Sequence, residues 1–280
     1  MTSRTSNPGS VLDAPRRAAG RGVLRLGAVP YLNVAPIIHG LGGNERFALA
    51  REVPSRVADW LHRGEIDLGT IPSIEYAGGN YAIVPGIAIG SRGPVRSVRL
   101  LHQGPLEAVR RVALDTSSRT SVALLKILLR ERLGRDPEYV AMPPRIGDML
   151  SSADAALVIG DPALYHRGPE ASLDLGEAWS RLTGLPFVYA FWAGRPGVVT
   201  PEDVASLRAS LQSGLAAIGE IASSYAGHPE DARENESYLR SNIVFDLGEA
   251  EQAGLREFYR RAHAQGLIPK VPELRFHAHS

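Results

Sequence analysis

Short apolar segments alternate with longer amphipathic segments from Val23 onward, a pattern typical of an α/β protein with largely parallel strands. Strands are predicted for residues 23–29, 66–70, 97–102, 112–114, 155–159 and 187–193, and the apolar run 81–89 is long enough for one or two more. Helices are predicted for residues 36–41, 54–63, 122–133, 201–221, 234–240 and 249–265. Strands and helices therefore alternate up to residue 193, and the chain is helical after residue 200.

The order of these elements predicts two lobes. A second strand–helix unit begins at residue 112, and the helices after residue 200 are expected to complete the first unit. We therefore predict a discontinuous lobe of residues 23–101 plus 188–280 and a second lobe of residues 102–187, joined by crossing strands at 97–102 and 187–193. The polar residues 1–22, rich in Gly, Pro and Arg, are expected to form a flexible tail.

The charge balance narrows the range of partners to small molecules. The chain has 31 Lys and Arg residues against 30 Asp and Glu residues, so its net charge is +1, and no run of like charges occurs. A sequence-independent grip on nucleic-acid phosphates is therefore not expected. No stretch approaches the ~20 apolar residues of a membrane span, and residues 1–22 lack the apolar run of a signal peptide. We therefore expect a cytoplasmic protein that binds neither nucleic acid nor membrane.

Several kinds of catalytic site require residues or motifs that this chain lacks. It has no cysteine, which excludes disulfides, thiolate metal sites and a cysteine nucleophile. Its eight histidines do not have metal-ligand spacing apart from His277 and His279, which are expected to be solvated. No phosphate-binding loop, dinucleotide-binding fingerprint or G-x-S-x-G motif occurs. The sequence therefore predicts no metal site and no cofactor.

Polar or turn-forming residues follow four of the predicted strands. Asn33 follows the first strand, Ser73 follows the strand at 66–70, residues 115–121 follow the strand at 112–114, and Gly160 with Asp161 follows the strand at 155–159. In open parallel sheets, ligands bind outside the carboxyl ends of the strands, where loops lead into helix N-termini. Two of these strand ends belong to each predicted lobe, so we expect all four to line a cleft between the lobes.

The segment Asp115–Ser121 carries several hydroxyls at the start of a strongly apolar helix. Its candidate binding residues are Thr116, Ser117, Ser118, Arg119, Thr120 and Ser121. Hydroxyls and free backbone N–H groups at a helix N-terminus form a neutral site for a carboxylate or phosphate, to which Arg119 can add charge. An N-cap with surplus hydroxyls and a solvent-facing arginine explains the pattern equally well.

Asn33 and Asp161 each have a functional and a structural interpretation. The amide of Asn33 has donor and acceptor groups that can orient a hydroxyl or carboxylate, but a turn or N-cap before Pro36 is the interpretation that the pattern alone favours. Asp161 can accept a hydrogen bond from a substrate hydroxyl or hold another side chain. The pattern alone favours a turn residue before Pro162 for it.

The chain also resembles a known family in a series of motifs that occur in the same order. These motifs are VPYLNVAPI with Asn33, GEIDLGTIPSIEY, AIGSRGPVRSV, DTSSRTSVALLKILL, PPRIGDML, ADAALVIGDPAL and DLGEAWSRLTGLPFVYAFWAG. The sequence is similar in residues 23–269 to the menaquinone-biosynthesis chorismate dehydratases of the futalosine pathway. The resemblance implies an α/β fold with two lobes, a central cleft and two crossing strands, as in type II periplasmic binding proteins.

The resemblance further implies a reaction and roles for several residues. The family converts the dianion chorismate to 3-[(1-carboxyvinyl)oxy]benzoate and water, a step that requires neither a metal nor a redox cofactor. Asn33 matches the family's catalytically important asparagine and is expected to orient the reacting groups, while the substrate's own side-chain carboxylate takes the proton. The hydroxyls of residues 116–121 are expected to bind a carboxylate, and Ser91, Ser97 and Asp161 are weaker candidates in the cleft.

Two alternative functions remain open from the sequence. A related menaquinone-pathway enzyme forms dihydroxynaphthoate from a cyclised futalosine and has the same lobes, but its N-terminal motif and a suitably placed histidine are not found here. A non-enzymatic receptor for a small anion is the alternative from a different class. Such receptors are normally exported, and residues 1–22 lack a signal segment.

Overall fold

Two five-stranded sheets form the centre of the protein in the computed structural model, which describes residues 22–225 and 229–278. In chain order, the strands are β1 (Leu24–Ala28), β2 (Phe47–Arg51), β3 (Leu68–Pro72), β4 (Ala82–Ser91), β5 (Val98–His102), β6 (Arg111–Asp115), β7 (Glu138–Met142), β8 (Ala155–Ile159), β9 (Ala171–Asp174) and β10 (Phe187–Gly194). The first sheet has the strand order β2-β1-β3-β10-β4, and the second has the order β7-β6-β8-β5-β9.

Helices cover both sheets. In the described part of the chain, the α-helices are α1 (Pro54–Arg63), α2 (Arg119–Leu133), α3 (Ile146–Ser152), α4 (Gly160–Leu164), α5 (Leu175–Thr183), α6 (Pro201–Ala216), α7 (Ile218–Tyr225), α8 (Pro229–Ser241) and α9 (Glu249–Ala264). Short 3-10 helices occur at Leu32–Ile38, Leu41–Gly43, Ser73–Gly78 and Leu106–Ala108. None of the helices in residues 22–225 and 229–278 is both long enough and apolar enough to cross a membrane.

The expectation of largely parallel strands was wrong for the two crossing strands. Strand β1 pairs parallel with β2 and β3, and β6 pairs parallel with β7 and β8. Strands β5 and β10 instead run antiparallel to both of their neighbours. These are the two segments predicted to carry the chain between the lobes, so each sheet combines a parallel βαβ core with one antiparallel strand from a crossing segment.

The strands that the sequence did not predict lie at sheet edges. Strands β2, β7 and β9 each have a neighbour on one side only, and most of their residues are partly or fully exposed. An edge strand exposed in this way needs no continuous apolar run, so hydrophobic periodicity does not reveal it. Strands β1, β3 and β8 are buried at every residue, and all three were predicted.

Some predicted helices have different bounds in the structure. The helix expected at residues 36–41 is a 3-10 helix at Leu32–Ile38, and Pro36 lies inside it. The helix expected at 201–221 is divided at Ala217 into α6 and α7. The apolar run 81–89 forms one strand, β4.

Helix α1 packs closely on the first sheet because two adjacent strands present glycines to it. A Cβ at Gly27 of β1 would lie 3.1 Å from Val57 Cγ1, and one at Gly69 of β3 would lie 3.0 Å from the same atom. The helix has proline at its first position and ends at Gly64, whose φ of +74° favours glycine. This packing fixes the carboxyl ends of β1 and β3 relative to each other.

The C-terminal residues return to the first sheet. Ile83 N–H donates to Arg275 O at 2.8 Å, and His277 N–H donates to Ile83 O at 2.9 Å. His277 was expected to be solvated, but it is 4% exposed because it lies against β4. His279 and residues 1–21 of the predicted tail lie outside the described residues. The residue boundaries of the two lobes remain a prediction.

Candidate active site

A cavity lies between the two sheets, at the carboxyl ends of β1, β3, β6 and β8. Asn33, Pro72, Ser118 and Gly160 line it, so the structure brings together the four strand ends identified in the sequence. Its polar wall residues are Tyr31, Asn33, Thr70, Ser97, Ser118, Thr120, Ser121 and Tyr189. Among the residues that the structure describes, no charged side chain lines this cavity. An anion bound here would therefore be held by neutral donors and backbone dipoles.

Asn33 lies on the 3-10 helix that follows β1. The turn into this helix is closed by Val34 N–H, which donates to Tyr31 O at 2.9 Å, and Leu32 N–H donates to the Asp161 carboxylate at 3.4 Å. The Oδ1 atom of Asn33 is buried and accepts no hydrogen bond from any described residue. A buried acceptor without a partner costs about 1–3 kcal/mol, so this atom has an unmet requirement for a hydrogen-bond donor.

Ser97 lies in the turn that leads into β5, and its backbone is held on both sides. Ser97 N–H donates to Val95 O at 2.8 Å, and Ser97 O accepts from Gly160 N–H at 2.8 Å. Arg96 has a φ of +62°, a left-handed conformation that is strained for a non-glycine residue. The carboxylate of Asp174 stabilises this turn by accepting from Val95 N–H and Arg96 N–H at 3.0 Å and 2.6 Å. The side chain of Ser97 is thereby fixed in the cavity wall.

The N-terminus of α2 supplies Ser118, Thr120 and Ser121 to the cavity wall. Ser118 is the N-cap residue, but its side chain makes no capping hydrogen bond, so its hydroxyl is available to a ligand. The hydroxyl oxygen of Thr120 accepts from Ile74 N–H at 3.1 Å, which leaves its proton free to donate. Hydroxyls beside the positive end of a helix dipole suit a carboxylate.

Asp115 organises the turn before α2 from beneath the cavity. Its Oδ1 accepts from Ser117 N–H at 2.8 Å and from Ser117 Oγ–H at 2.6 Å. Burial raises the pKa of Asp115, and the two bonds from Ser117 oppose that shift. Ser117 therefore serves the turn, and its side chain is not part of the cavity wall.

Arg119 points away from the cavity and joins the two sheets. Its guanidinium pairs with Asp59 of α1 at 2.9 Å and with Glu75 at 3.2 Å, and Glu75 also pairs with His62 at 2.7 Å. Since these carboxylates lie on the first sheet's side of the cleft, the cation holds the α2 N-terminus against that side. The positive charge that was expected to assist ligand binding is therefore already paired with two carboxylates of the protein.

The cavity is narrow because the cleft is closed by direct contacts. Its volume is about 60 Å³, whereas pockets that enclose drug-sized ligands are on the order of 300–1,000 Å³. Besides the Arg119 ion pairs, Ser55 N–H donates to Ser117 O at 3.2 Å across the cleft. These contacts join the two sides of the cleft beside the cavity.

Ser73, Ser91 and Thr116 lie outside the cavity wall. The buried hydroxyl of Ser73 donates to Val188 O at 2.7 Å. The hydroxyl of Ser91 lies 3.2 Å from the hydroxyl of Tyr189, so it contacts a wall residue from behind. Thr116 is exposed, and its N–H donates to Met142 O at 3.2 Å.

Asp161 supports the Asn33 segment from behind. Its carboxylate accepts from Leu32 N–H at 3.4 Å and from the hydroxyl of Tyr225, whose oxygen also lies 3.0 Å from Pro30 O. Burial raises the pKa of Asp161, while the bonds from Tyr225 and Leu32 oppose the shift. The aspartate thus holds other protein groups, one of the two roles that the sequence left open for it.

The sequence of this chain matches a known protein family. The model of a family described as menaquinone biosynthesis matches residues 24–264. The chain belongs to this family. It is 35% identical over 267 residues to the chorismate dehydratase of Thermus thermophilus, a match that covers 86% of this chain and 95% of that protein. It is 27% identical over 228 residues to the 1,4-dihydroxy-6-naphtoate synthase of Streptomyces coelicolor, with coverages of 75% and 80%.

Solved structures show that this menaquinone-biosynthesis family member has a periplasmic-binding-protein-like fold. A protein from Archaeoglobus fulgidus superposes with a TM-score of 0.72 at 20% identity, covering 88% of this chain and 98% of that one. The periplasmic aliphatic sulphonate binding protein of Escherichia coli superposes with a TM-score of 0.63 at 18% identity and 92% coverage of both chains. At these identities the likeness establishes the fold alone, and it confirms the two-lobed α/β architecture expected from the sequence.

Aromatic hydroxyls are the feature of this family member's cavity that sequence reasoning missed. Tyr31 and Tyr189 line the wall, and burial raises the pKa of both phenols, so they stay protonated at neutral pH. Tyr31 lies two residues before Asn33 in the sequence, which was a usable signal. Tyr189 lies within the apolar run of β10 and resembles an ordinary core residue there. A Cβ at Gly160 would lie 2.9 Å from the Tyr31 ring, so glycine at that position makes room for the ring.

Proposed function

We propose that this protein is a chorismate dehydratase, a hydro-lyase that converts chorismate to 3-[(1-carboxyvinyl)oxy]benzoate and water. The observation that carries the proposal is a cavity between the two sheets that is lined by neutral donors and by Asn33, whose Oδ1 has no partner among the described residues. Loss of water from chorismate requires two carboxylates to be held, one hydroxyl to be oriented and solvent to be excluded. The similarity to the Thermus thermophilus chorismate dehydratase over most of both chains supports the same reaction.

The two carboxylates of chorismate need two groups of donors. We assign one carboxylate to the N-terminus of α2, where Ser118, Thr120 and Ser121 present hydroxyls beside the helix dipole. The second carboxylate faces the opposite wall, which contains Ser97 and the phenols of Tyr31 and Tyr189. Fixed neutral donors in a site closed to water stabilise negative charge without reorganising during the reaction.

The proton acceptor that fits this cavity is the substrate's own side-chain carboxylate. The nearby protein carboxylates, Asp115 and Asp161, already accept bonds from Ser117 and from Tyr225, and neither lines the cavity. We propose that the substrate carboxylate removes the proton from the ring carbon that carries the enol ether. The neighbouring carbon–oxygen bond then breaks, and the hydroxyl leaves as water with the proton that the substrate carboxylate removed. Asn33 Oδ1 accepts a hydrogen bond from the reacting hydroxyl and fixes its position.

Incubation of the purified protein with chorismate alone is expected to give an aromatic product one water lighter than the substrate. Mass spectrometry and the ultraviolet spectrum of the aromatic ring follow the reaction. The similarity to the Streptomyces coelicolor 1,4-dihydroxy-6-naphtoate synthase keeps the naphthoate-forming alternative open, so a cyclised futalosine is the second substrate to test. Consumption of that compound with chorismate untouched would replace the proposal by naphthoate formation. Binding of chorismate without turnover would indicate a receptor.

The serine at the N-cap of α2 is expected to contribute to substrate binding. Replacing Ser118 by alanine removes a cavity hydroxyl that makes no capping bond, so the fold loses little. A hydrogen bond to a charged group is worth about 1.5–3 kcal/mol, so KM should rise about 10- to 100-fold while kcat changes little.

Thr116→Ala is the matched control for this measurement. It removes a neighbouring hydroxyl from the same segment, but that residue is exposed and outside the cavity wall. Steady-state kinetics of both variants test the assignment. An equal rise of KM in the two variants would contradict the binding role of the α2 N-terminus.

A further inference from the structure

A buried tyrosine from the C-terminal helices lies directly behind the cavity wall. Tyr238 of α8 is 1% exposed, and its hydroxyl donates to Ser97 Oγ at 2.7 Å. The two residues are 141 positions apart in the chain, so only the folded protein brings them together. Tyr238 itself does not line the cavity, and any influence on a ligand must pass through the wall residues that it contacts.

Two wall residues influence the phenol of Tyr238. Burial raises the pKa of this phenol well above the ordinary range for tyrosine, and Ser97, Asn33 and the positive charge of Arg96 oppose this shift. Asn33 also lines the cavity, and its Oδ1 is buried without a partner among the described residues.

The backbone groups and the hydroxyl oxygen of Ser97 already have hydrogen-bond partners. Its N–H and C=O are occupied by Val95 and Gly160, and its Oγ accepts the proton of Tyr238. A serine hydroxyl has one proton and two acceptor lone pairs. Since Tyr238 occupies one lone pair, the hydroxyl proton of Ser97 must point in another direction, and the cavity is where it meets a ligand. Tyr238 thus determines that Ser97 faces the cavity as a donor.

Helix α8 is itself anchored, so the phenol is held in place. Asn235, one turn before Tyr238, is fully buried, and its Oδ1 accepts from the hydroxyl of Tyr165 at 2.6 Å. The amide of Asn235 donates in turn to Ala222 O of α7 at 3.3 Å. Tyr165 is the C-cap residue of α4, the helix that begins at Gly160 in the cavity wall. These contacts fix α8 relative to both sides of the cleft.

We propose that Tyr238 is a positioning residue of this site, which directs the Ser97 proton into the cavity through the hydrogen bond from its hydroxyl to Ser97 Oγ. The role in catalysis rests on the proposed function, since it concerns how chorismate is held. A chain of polarised hydrogen bonds of this kind strengthens the terminal donor. The Ser97 hydroxyl is then a better donor to a substrate carboxylate than an isolated serine would be.

The test removes the hydroxyl alone with Tyr238→Phe. We expect kcat/KM for chorismate to fall about 10- to 100-fold, less than the ~100- to 1,000-fold typical of losing a donor that touches the reacting atoms. In a Ser97→Ala background, the same change should reduce kcat/KM less than about 3-fold, because coupled residues are not additive. Full additivity of the two substitutions would overturn the proposal, since a merely structural tyrosine acts independently of Ser97.

Tyr76→Phe is the matched control. Tyr76 is 3% exposed, and its hydroxyl donates to Glu273 O at 3.0 Å, away from the cavity. Both substitutions remove a buried hydroxyl, so the midpoint temperature of thermal unfolding should fall to a similar extent in both variants. Only Tyr238→Phe should lower kcat/KM. An equal kinetic loss in the Tyr76 variant would show that general destabilisation is responsible.

Crystal structures of the two variants separate this inference from the proposed function. In Tyr238→Phe, the Ser97 side chain should adopt a new rotamer, and it should be unchanged in Tyr76→Phe. This outcome does not depend on turnover. An inactive wild-type protein would therefore overturn the dehydratase assignment while the crystals still decide the role of Tyr238. An unchanged Ser97 rotamer in Tyr238→Phe would overturn the positioning role.

Discussion

Replacement of Asn33 by alanine is expected to lower kcat by about 100- to 1,000-fold, the range seen when one preorganised hydrogen-bonding group at a reacting centre is removed. Its Oδ1 is buried in the cavity wall and has no partner in the described part of the chain. In our proposal this atom is satisfied only by the reacting hydroxyl. KM should change by only a few fold, because the carboxylates are bound by other residues.

The same substitution should leave the fold intact. Alanine removes a buried acceptor that is unsatisfied in the free protein, so the free energy of unfolding should stay within about 1 kcal/mol of the wild type. Chemical denaturation and steady-state kinetics together give the decisive signature, a large loss of turnover without a loss of stability. Most residues at buried positions behave in the opposite way when they are truncated.

Asn242→Ala is the matched control for Asn33→Ala. Asn242 also has a carboxamide side chain, but its Nδ2 donates to Pro94 O at 2.9 Å on the exposed side of the turn before β5. Its replacement should leave kcat unchanged. Wild-type turnover in Asn33→Ala would show that the orienting group has been misassigned. A parallel loss in both variants would indicate a general effect of losing an amide.

The central strands were predictable from the sequence because their complete burial requires apolar side chains throughout. Strands β1, β3 and β8 are buried at every residue, so each requires an unbroken apolar segment followed by a turn. An edge strand such as β7, with Glu138 and Ala141 exposed, has no such requirement. Its pairing with β6 is determined by register in the folded sheet, and local composition carries little information about it.

The candidate site was predictable where function is local in sequence. Asn33 and the hydroxyls near residue 118 follow directly from buried strands, so the strand-end rule located them. The role of Arg119 could not be predicted from the local sequence. A cation beside a row of hydroxyls suggests an anion ligand, but the partners that occupy it, Asp59 and Glu75, come from segments more than 40 residues earlier. Tyr238 has the same problem, because its partner Ser97 is 141 positions away.

A single methyl group at Gly214 is expected to disturb both the fold and the site. Gly214 lies on the buried face of α6, where the helix packs on the 3-10 helix that carries Asn33. A Cβ there would lie 2.1 Å from Pro36 O and 2.6 Å from Pro36 Cα. Both are backbone atoms that cannot rotate away, so Gly214→Ala must push α6 and the Leu32–Ile38 segment apart.

Two opposing effects determine the size of the change. Alanine is favoured over glycine inside a helix by about 1 kcal/mol, whereas overpacking a well-filled interface costs about 1–3 kcal/mol. Because the clash is with backbone, we expect overpacking to dominate and the free energy of unfolding to fall by about 1–2 kcal/mol. Displacement of Asn33 by even ~1 Å should lower kcat/KM on the order of 100-fold.

Gly219→Ala supplies the control because the sign of its effect is reversed. Gly219 lies on the next helix, α7, and the nearest contact of a Cβ there is Glu236 Oε1 at 3.9 Å, an ordinary distance. Only the helix preference acts at this position, so stability should be equal to the wild type or higher by up to ~1 kcal/mol. Denaturant unfolding curves and kcat/KM of both variants test these expected changes in stability and activity. Gly214→Ala with wild-type stability and activity would show that the Asn33 segment tolerates displacement, and the rigid placement of its amide would then lose its physical basis.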